Sequence, residues 1–248
     1  MTIKTIQILI LSIVLLSCKM KDDTDDIKPV TPVNQNTSMI PPLTSGTPAK
    51  PKPADSVRYL ALGDSYTIGE SVPYEQNFPS QLFDAWKQSG MPVSSYNIIA
   101  RTGWTTSTLQ SAIEASGYKD TFNMVSLLIG VNNQYQGRSL EEYKRQFVQL
   151  AERAIQFAGG KKEKVFIISI PDYGYTPFGK SNQATISSQI DQFNAANKEL
   201  SDSLGLTYYD ITPISRKGLD EPDLVAGDGL HPSAKMYAEW VSLIMKKR

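Results

Sequence analysis

One stretch of the chain joins a short apolar run to a glycine and two polar residues: Val57-Arg58-Tyr59-Leu60-Ala61-Leu62-Gly63-Asp64-Ser65. The apolar part, residues 57–62, has the length of a buried strand and is too short for a stable helix, and Gly63 marks its end. A serine that directly follows such a strand can expose its hydroxyl at the edge of a sheet. The stretch therefore predicts a β-strand and makes Ser65 a candidate nucleophile.

Short apolar runs alternate with helical patterns along the rest of the chain. Runs that are apolar or nearly so, such as residues 124–129 with the single Ser126 and residues 165–168, are typical of parallel strands covered on both faces. Strands are predicted at residues 57–62, 95–100, 123–129, 164–170 and 206–211. Helices are predicted at residues 78–88, 105–115, 140–158, 187–204 and 234–245. The alternation predicts a three-layer α/β/α sandwich around a five-stranded parallel sheet with right-handed crossovers.

Small and polar residues follow the predicted strands where each strand ends. In open parallel sheets, ligands bind at the carboxyl ends of the strands. Four segments reach that edge: Gly63-Asp64-Ser65, Arg101-Thr102-Gly103, Gly130-Val131-Asn132, and the loop that carries Asp228 and His231. We therefore expect these segments to meet in one site.

His231 is the only histidine in the 248-residue chain, and Asp228 precedes it by three positions. A serine hydroxyl becomes a strong nucleophile when a neighbouring base removes its proton, and imidazole is suited to that role near neutral pH. Asp228 can accept the other ring N–H and fix the tautomer. The pattern predicts Ser65 as nucleophile, His231 as general base and Asp228 as the residue that orients the base.

Acyl transfer also needs hydrogen-bond donors for the oxyanion that forms in the transition state. The backbone N–H of Ser65 is one candidate. Gly103 lets a second backbone N–H approach the substrate without an intervening side chain, and Asn132 offers a side-chain amide. Considered alone, Gly103 and Asn132 fit an ordinary turn equally well.

These motifs resemble the four blocks of the SGNH hydrolases, the GDSL-type lipase and esterase family. The matching residues, in order, are Gly63-Asp64-Ser65, Gly103, Gly130-Val131-Asn132, and Asp228 with His231, and the resemblance covers residue 57 to the C-terminus. It implies a flavodoxin-like sheet and a serine ester hydrolase that works through an acyl-enzyme. It also implies Ser65, His231 and Asp228 as the catalytic triad, with Ser65, Gly103 and Asn132 as oxyanion donors.

The chain departs from the family pattern at two positions. Tyr66 replaces the Leu of the family's name, at a position that varies and does not enter the chemistry. Asn133 stands where the third block usually has Asp, so a carboxylate that often braces that loop is missing. The second departure leaves the hydrogen bonding of the loop open, but not the identity of Asn132.

The N-terminus has the pattern of an export signal. Lys4 precedes an apolar run over residues 6–16, which is too short to span a bilayer and is typical of a signal peptide. The run ends in Leu15-Leu16-Ser17-Cys18, which resembles the lipobox of bacterial lipoproteins. The resemblance implies that Cys18, the sole cysteine, is the lipidated first residue of the mature chain and anchors it to the membrane. An ordinary secretory signal with a chance cysteine is the alternative.

Two further segments separate Cys18 from the domain. The acidic residues at 22–26 resemble the surface-export signal of Bacteroidetes lipoproteins, although a solvated tether would have the same composition. Residues 29–53 are rich in proline and lack apolar periodicity, as in a semi-extended linker. We therefore expect a signal peptide at 1–17, a lipidated and disordered tether at 18–53, and a hydrolase domain at 54–248. The expected location is the outer membrane, with the domain exposed at the cell surface.

Composition and motifs argue against several other classes. The chain carries 25 basic and 25 acidic residues with no basic block in the domain, so we expect no nucleic-acid partner. With one histidine and one cysteine, a zinc site is not expected, and neither is a cofactor. Residues Gly174–Ser181 match the P-loop pattern, but proline within the match offers no N–H to a phosphate. We expect no nucleotide there and interpret residues 172–181 as a loop on the substrate side.

Bulky aromatic residues near the strand ends suggest the type of substrate. The candidates are Tyr66, Trp104, Tyr135 and the loop from Tyr173 to Phe178, although each also fits simple packing. Aromatic rings leave little room for a long acyl chain and offer flat faces to sugar rings. We therefore expect a short-chain carboxylesterase acting on glycans or small esters. The alternatives are a lysophospholipase, lipase-like enzyme or thioesterase for longer acyl chains, and a non-catalytic surface binding lipoprotein.

Overall fold

A five-stranded, all-parallel sheet organises residues 56–246, the part of the chain that the computed structural model describes. Its strands are β1 (Val57–Gly63), β2 (Val93–Ala100), β3 (Met124–Leu128), β4 (Val165–Ile168) and β5 (Thr207–Tyr209). Their order across the sheet is β2-β1-β3-β4-β5, the flavodoxin-like order. The fold class predicted from the sequence is therefore confirmed. The signal peptide predicted at 1–17, Cys18 and the tether predicted at 18–53 lie outside the described residues.

Eight α-helices accompany the sheet in residues 56–246. They are α1 (Ser65–Ile68), α2 (Phe78–Gln88), α3 (Thr106–Ser116), α4 (Val131–Tyr135), α5 (Leu140–Phe157), α6 (Gln183–Leu204), α7 (Thr212–Ser215) and α8 (Ala234–Lys246). Short 3₁₀ turns lie at Tyr74–Gln76, Lys162–Lys164, Tyr173–Tyr175, Lys180–Asn182 and Pro222–Leu224. No helix in this part of the chain is both long and apolar enough to cross a membrane.

The helices cover both faces of the sheet. Helix α2 packs against α8 in one layer, while α5 packs against α3 and α6 in the other. Trp86 of α2 and Trp240 of α8 are fully buried, and the ring centroids of Phe78 and Trp240 lie 6.2 Å apart. Strand β3 is buried along its whole length, which explains its largely apolar sequence, and its one polar side chain, Ser126, shares a hydrogen bond with the Tyr59 hydroxyl at 2.7 Å.

Some observed strands are shorter than the sequence predicts. The predicted strand at 206–211 is reduced to β5 at Thr207–Tyr209. The backbone N–H groups of Ile211 and Thr212 donate to the hydroxyl of Ser169 at 2.8 and 3.1 Å, so they are removed from the ladder. Strand β4 likewise ends at Ile168, because Ile170 donates its N–H to the Asn194 side chain at 2.8 Å.

The end of β1 brings the polypeptide close to its neighbours just before Ser65. A Cβ atom at Gly63 would lie 2.0 Å from the hydroxyl oxygen of Thr67 and 2.5 Å from the carbonyl oxygen of Leu128. Only a residue without a side chain lets helix α1 begin directly above the ends of β1 and β3. Glycine at this position therefore places Ser65 at the carboxyl edge of the sheet.

Candidate active site

Ser65 is the first residue of α1, and its placement depends on the residue before it. Asp64 caps the helix, and its Oδ1 accepts a hydrogen bond from the backbone N–H of Tyr66 at 3.1 Å. Ser65 is buried except toward a cavity at the edge of the sheet, which it lines together with His231. The structure therefore brings the predicted nucleophile and the predicted base to one cavity.

The Asp64 carboxyl group is itself fully buried beneath this helix. Burial raises the pKa of Asp64 to about 7. Hydrogen bonds from the Tyr66 N–H and the Asn132 amide lower this pKa, but by less than burial raises it. Its second oxygen, Oδ2, has no hydrogen-bond partner among the described residues. The site therefore contains a carboxyl group that takes up a proton near neutral pH.

Asp228 and His231 form a tightly bonded pair in the loop before α8. The His231 Nδ1 lies 2.6 Å from Oδ2 of Asp228, while Oδ1 accepts the backbone N–H groups of Leu230 and His231 at 2.9 and 3.0 Å. Partial burial raises the pKa of Asp228, but these hydrogen bonds and one from Ser71 outweigh it and hold the pKa well below the usual range. An ionised carboxylate only accepts, so Nδ1 of His231 must donate and Nε2 is left as the basic nitrogen.

The loop that carries this pair is closed by its own backbone. The N–H of Ala226 donates to the carbonyl of His231 at 2.7 Å, and Val225 and Pro232 form an antiparallel bridge. The ring of Tyr66, from α1, lies beside the imidazole with a centroid distance of 5.4 Å. The His231 ring is thus held by its own loop on one side and by α1 on the other.

The two other predicted oxyanion donors reach the same cavity. Gly103 adopts a φ of +82°, a conformation that other residues rarely adopt, and it lines the cavity. Asn132, in the first turn of α4, donates its Nδ2 hydrogen to the carbonyl of Trp104 at 3.1 Å and also lines the cavity. Asn132 is thereby oriented by the loop that contains Gly103.

Asn133 stands where the family usually has an Asp, and its amide makes the hydrogen bonds that brace the α4 loop. Its side chain is fully buried, its Oδ1 accepts the backbone N–H of Thr106 at 3.0 Å, and its Nδ2 donates to the Thr106 hydroxyl at 2.7 Å. The Thr106 hydroxyl in turn donates to the side chain of Gln146 in α5. An amide therefore braces the α4 loop against α3 with two hydrogen bonds.

The cavity has a volume of about 300 Å³ and a wall rich in aromatic rings. Tyr135, Tyr173 and Phe178 form a cluster with centroid distances of 6.2 to 6.3 Å, and Tyr135 and Phe178 are 60% and 50% exposed. We call these three residues the aromatic cluster. The lining residues are Ser65, Tyr66, Thr102, Gly103, Val131, Asn132, Tyr135, Tyr173, Phe178, Leu230 and His231.

One predicted substrate-side residue lies elsewhere. Trp104 is not among the residues that line the cavity, and its partly buried ring packs against the hydrophobic core. Its backbone, by contrast, contributes to the site through the carbonyl that accepts from Asn132. Because the ring is only partly buried, a substrate-side role for Trp104 stays a prediction.

The segment that matches the P-loop pattern is folded onto itself. Its backbone N–H groups donate to oxygen atoms of the protein at Gly174, Tyr175, Thr176, Phe178, Gly179 and Lys180. A phosphate-binding loop needs such groups pointing at the ligand. Phe178 of this segment and Tyr173, which directly precedes it, instead lie on the wall of the cavity.

Several residues at the site were not singled out from the sequence. Thr102 and Val131 line the cavity within segments that were predicted to meet there, although neither was given a role of its own, and Leu230 lines it beside His231. Ser71 donates its hydroxyl to Oδ2 of Asp228 at 2.7 Å, although the two are 157 positions apart. The neighbours in the motifs could have indicated the first three, but no local pattern marks Ser71. No group of three or more potential metal ligands occurs within residues 56–246.

Solved structures with a similar fold include several esterases. An acetylxylan esterase from Geobacillus stearothermophilus is 17% identical, with a TM-score of 0.62 over 79% of this chain and 95% of that one. A psychrotrophic esterase from Pseudoalteromonas sp. is 14% identical, with a TM-score of 0.59 over 77% and 96% of the two chains. A G-D-S-L family lipolytic protein from Veillonella parvula is 17% identical, with a TM-score of 0.59 over 77% and 97%. At these identities the likeness shows the fold alone.

The sequence itself matches one family. No curated protein matches the chain in sequence. The model of the GDSL-like lipase/acylhydrolase family matches residues 61–239, a range that contains Ser65, Gly103, Asn132, Asp228 and His231. A serine, an oriented imidazole and clustered hydrogen-bond donors at one cavity suit the cleavage of ester bonds. The chain is therefore an ester-hydrolysing enzyme that belongs to the GDSL-like lipase/acylhydrolase family.

Proposed function

We propose that the protein is a serine carboxylesterase that removes short acyl groups, acetyl above all, from glycans or small esters. The observation that carries the proposal is the aromatic cluster, which stands on the wall of a cavity of about 300 Å³ that also holds Ser65 and His231. Among proteins of similar fold, the one from Geobacillus stearothermophilus is an acetylxylan esterase. Ester hydrolysis itself follows from the family to which the chain belongs. The short acyl group and the glycan or small alcohol are the part that we propose.

The proposed reaction proceeds through an acyl-enzyme. Nε2 of His231 takes the hydroxyl proton of Ser65 as its Oγ attacks the ester carbonyl carbon. The N–H groups of Ser65 and Gly103 and the Asn132 amide stabilise the oxyanion. When the tetrahedral intermediate collapses, the carbon–oxygen bond to the alcohol breaks and the alcohol takes the proton from His231. A water molecule, deprotonated by His231, then attacks the acyl group and releases the carboxylic acid and free Ser65.

The aromatic cluster supports both parts of the substrate assignment. Tyr135 and Phe178 expose at least half of their surface although both are large, and flat exposed rings beside a reactive serine suit stacking against sugar faces. The same rings, together with buried Tyr66, narrow the space beside Ser65. A short acyl group fits this space without displacing an aromatic side chain.

A series of chromogenic esters tests the acyl length. We expect kcat/KM to be highest for acetate, lower for butyrate and lowest for octanoate and palmitate esters. Acetate release from acetylated xylan, compared with that from small acetate esters, then tests the alcohol side. Ser65→Ala is the matched control, since it removes the nucleophile and leaves the aromatic cluster intact. A preference for octanoate or longer chains contradicts the proposal and favours a lysophospholipase, lipase-like enzyme or thioesterase.

A serine-directed organophosphonate separates catalysis from simple binding. The esterase from Pseudoalteromonas sp. has been determined in a form inhibited by monoethylphosphonate. We expect covalent labelling of this protein that is absent in Ser65→Ala, measured by intact mass. If the wild-type protein binds glycans but resists labelling and turns over no ester, it is a non-catalytic surface binding protein.

We also propose that the enzyme works as a lipoprotein of the outer membrane, with its domain exposed outside the cell. The support is in the sequence: the lipobox-like residues up to Cys18, the acidic residues at 22–26 and the proline-rich residues 29–53. An esterase displayed on such a spacer meets polymeric glycans directly.

A further inference from the structure

Ser71 has an unusual backbone conformation close to the active site. Its φ of +67° makes it the only residue other than glycine with a positive φ in residues 56–246. The left-handed conformation costs a serine about 1–2 kcal/mol relative to its ordinary conformations. Such a conformation is retained where neighbouring contacts determine it, and these positions cluster at functional sites.

The contact made by Ser71 is to the catalytic acid. Its hydroxyl donates to Oδ2 of Asp228 at 2.7 Å, the same oxygen that accepts from Nδ1 of His231. The other oxygen, Oδ1, is already bonded to two N–H groups of its own loop. Within the described part of the chain, Ser71 is the only residue outside the 225–232 loop that donates a hydrogen bond to Asp228.

Ser71 is also connected to the nucleophile by a short path through the backbone. The N–H groups of Gly69 and Glu70 both donate to the carbonyl of Ser65, at 3.1 and 3.0 Å. Ser71 follows directly, so its position is set by the helix that begins with Ser65. The Ser71–Asp228 hydrogen bond therefore joins the segment that holds the nucleophile to the loop that holds the base.

The residue beside Ser71 makes an equivalent contact on the opposite flank of the site. Glu70 accepts a hydrogen bond from the hydroxyl of Thr102, which directly precedes Gly103. Glu70 and Ser71, which are consecutive in sequence, thus contact two different loops. One loop carries Gly103, and the other carries Asp228 and His231. A positive φ between the two side chains allows them to point to different loops.

We propose that Ser71 is a positioning residue for catalysis, which holds Asp228 and, through it, His231 in register with Ser65. A hydroxyl that donates to an ionised carboxylate makes a strong, directional hydrogen bond. Without it, the 225–232 loop keeps its own backbone hydrogen bonds and the contact between the His231 and Tyr66 rings, but Asp228 loses its hydrogen bond to the segment that follows α1. The inference rests on serine hydrolase chemistry and does not depend on which acyl group is the substrate.

Two variants separate the hydroxyl of Ser71 from its backbone conformation. Ser71→Gly removes the hydroxyl and suits the positive φ, whereas Ser71→Ala removes the hydroxyl and keeps the backbone strain. Both should lower kcat for a chromogenic acetate ester about tenfold with little change in KM, because the bond acts on the geometry of the reacting groups. Ser71→Gly should be the more thermostable of the two. Ser203→Ala, which removes an exposed hydroxyl at the end of α6, should leave kcat unchanged.

A second measurement reports on His231 without any substrate. Because the chain contains one histidine, the imidazole Nδ1 proton gives a single assignable NMR signal in the whole protein. We expect this signal to shift in both Ser71 variants and to stay in place in Ser203→Ala. If kcat and the signal remain as in the wild type, or if only Ser71→Ala loses activity, the proposal is wrong. A fall in kcat with an unmoved signal overturns it as well, since Ser71 would then act elsewhere.

Discussion

At the scale of single residues, catalysis depends on an imidazole that has no substitute, because His231 is the only histidine in the sequence. We expect Ser65→Ala and His231→Ala each to lower kcat by roughly three or more orders of magnitude, and Asp228→Asn to cost less. Steady-state kinetics with a chromogenic acetate ester measures the effect, and unchanged thermal unfolding confirms that each variant folds. Turnover by His231→Ala at the wild-type rate would refute the proposed mechanism.

Two adjacent asparagines provide a matched pair for testing the oxyanion site. Asn132 lines the cavity, whereas Asn133 is buried and bonded to Thr106. If the Asn132 amide binds the oxyanion, Asn132→Ala should lower kcat roughly 100-fold with little change in KM or stability. Asn133→Ala should instead lower the free energy of unfolding, since it leaves the backbone N–H of Thr106 unpaired. If Asn132→Ala loses stability but keeps its activity per folded molecule, then Asn132 stabilises the turn and does not bind the oxyanion.

Asp64 makes stability depend on pH in a direction opposite to that of most carboxylates. Burial raises its pKa in the folded state to about 7, above the ordinary value of 3.8 for an aspartate. Between these values the folded state holds a proton that the unfolded state has lost, so the free energy of unfolding falls as pH rises, by up to about 1.4 kcal/mol per pH unit.

Asp64→Asn removes this titration and retains a side chain that can cap α1. We expect the free energies of unfolding of the variant and the wild type to differ least near pH 4. As pH rises toward 8, the variant should become more stable relative to the wild type. Thermal unfolding of both proteins across that range measures the difference. A constant difference at every pH would show that Asp64 does not take up a proton on folding.

At the scale of elements, one ion pair holds the segment that supplies part of the cavity wall. Asp172 is fully buried and accepts from Nε of Arg216 at 3.0 Å, while the Arg216 Nη2 binds the exposed Asp191 at 2.6 Å. Arg216→Ala leaves a buried carboxylate without its cation, and we expect it to lower the free energy of unfolding by about 2–3 kcal/mol.

Asp191→Ala is the control for this ion pair. It removes only the exposed partner of Arg216, so the expected change is within about 1 kcal/mol. Urea denaturation measures both variants. Because Asp172 directly precedes Tyr173 of the aromatic cluster, Arg216→Ala should also raise KM. Equal stability losses in the two variants would mean that the buried contact contributes nothing beyond the exposed one.

Periodicity predicted the long elements well and the short ones poorly. Helix α2 was predicted at its observed bounds, and α6 begins four residues earlier than expected, at Gln183. Helices α1, α4 and α7 contain four or five residues, too few to show a period, and caps and tertiary contacts determine them. Ser71 shows the same limit at the active site: its bond to Asp228 joins distant segments that no local pattern connects.

At the scale of the whole molecule, we expect the chain to be anchored through Cys18. Metabolic labelling with a palmitate analogue should mark the wild-type protein and fail with Cys18→Ala, because the variant lacks the thiol to which we propose that the lipid is attached. Protease treatment of intact cells then tests whether the domain faces outward. Unlabelled wild-type protein that is free in the medium would mean that the signal is an ordinary secretory one.

The order of the strands has a consequence for how activity arises during synthesis. Strand β1 is made first, yet it lies between β2 and β3, and Asp228 bonds to Ser71 only after 157 further residues are made. Helix α8 closes the domain when Tyr237 donates its hydroxyl to the carbonyl of Tyr66 at 3.0 Å. A nascent chain therefore carries its nucleophile without its base, and contacts this distant in sequence form slowly. We therefore expect the polypeptide to be catalytically silent during translation, so that the onset of hydrolysis marks the completion of folding.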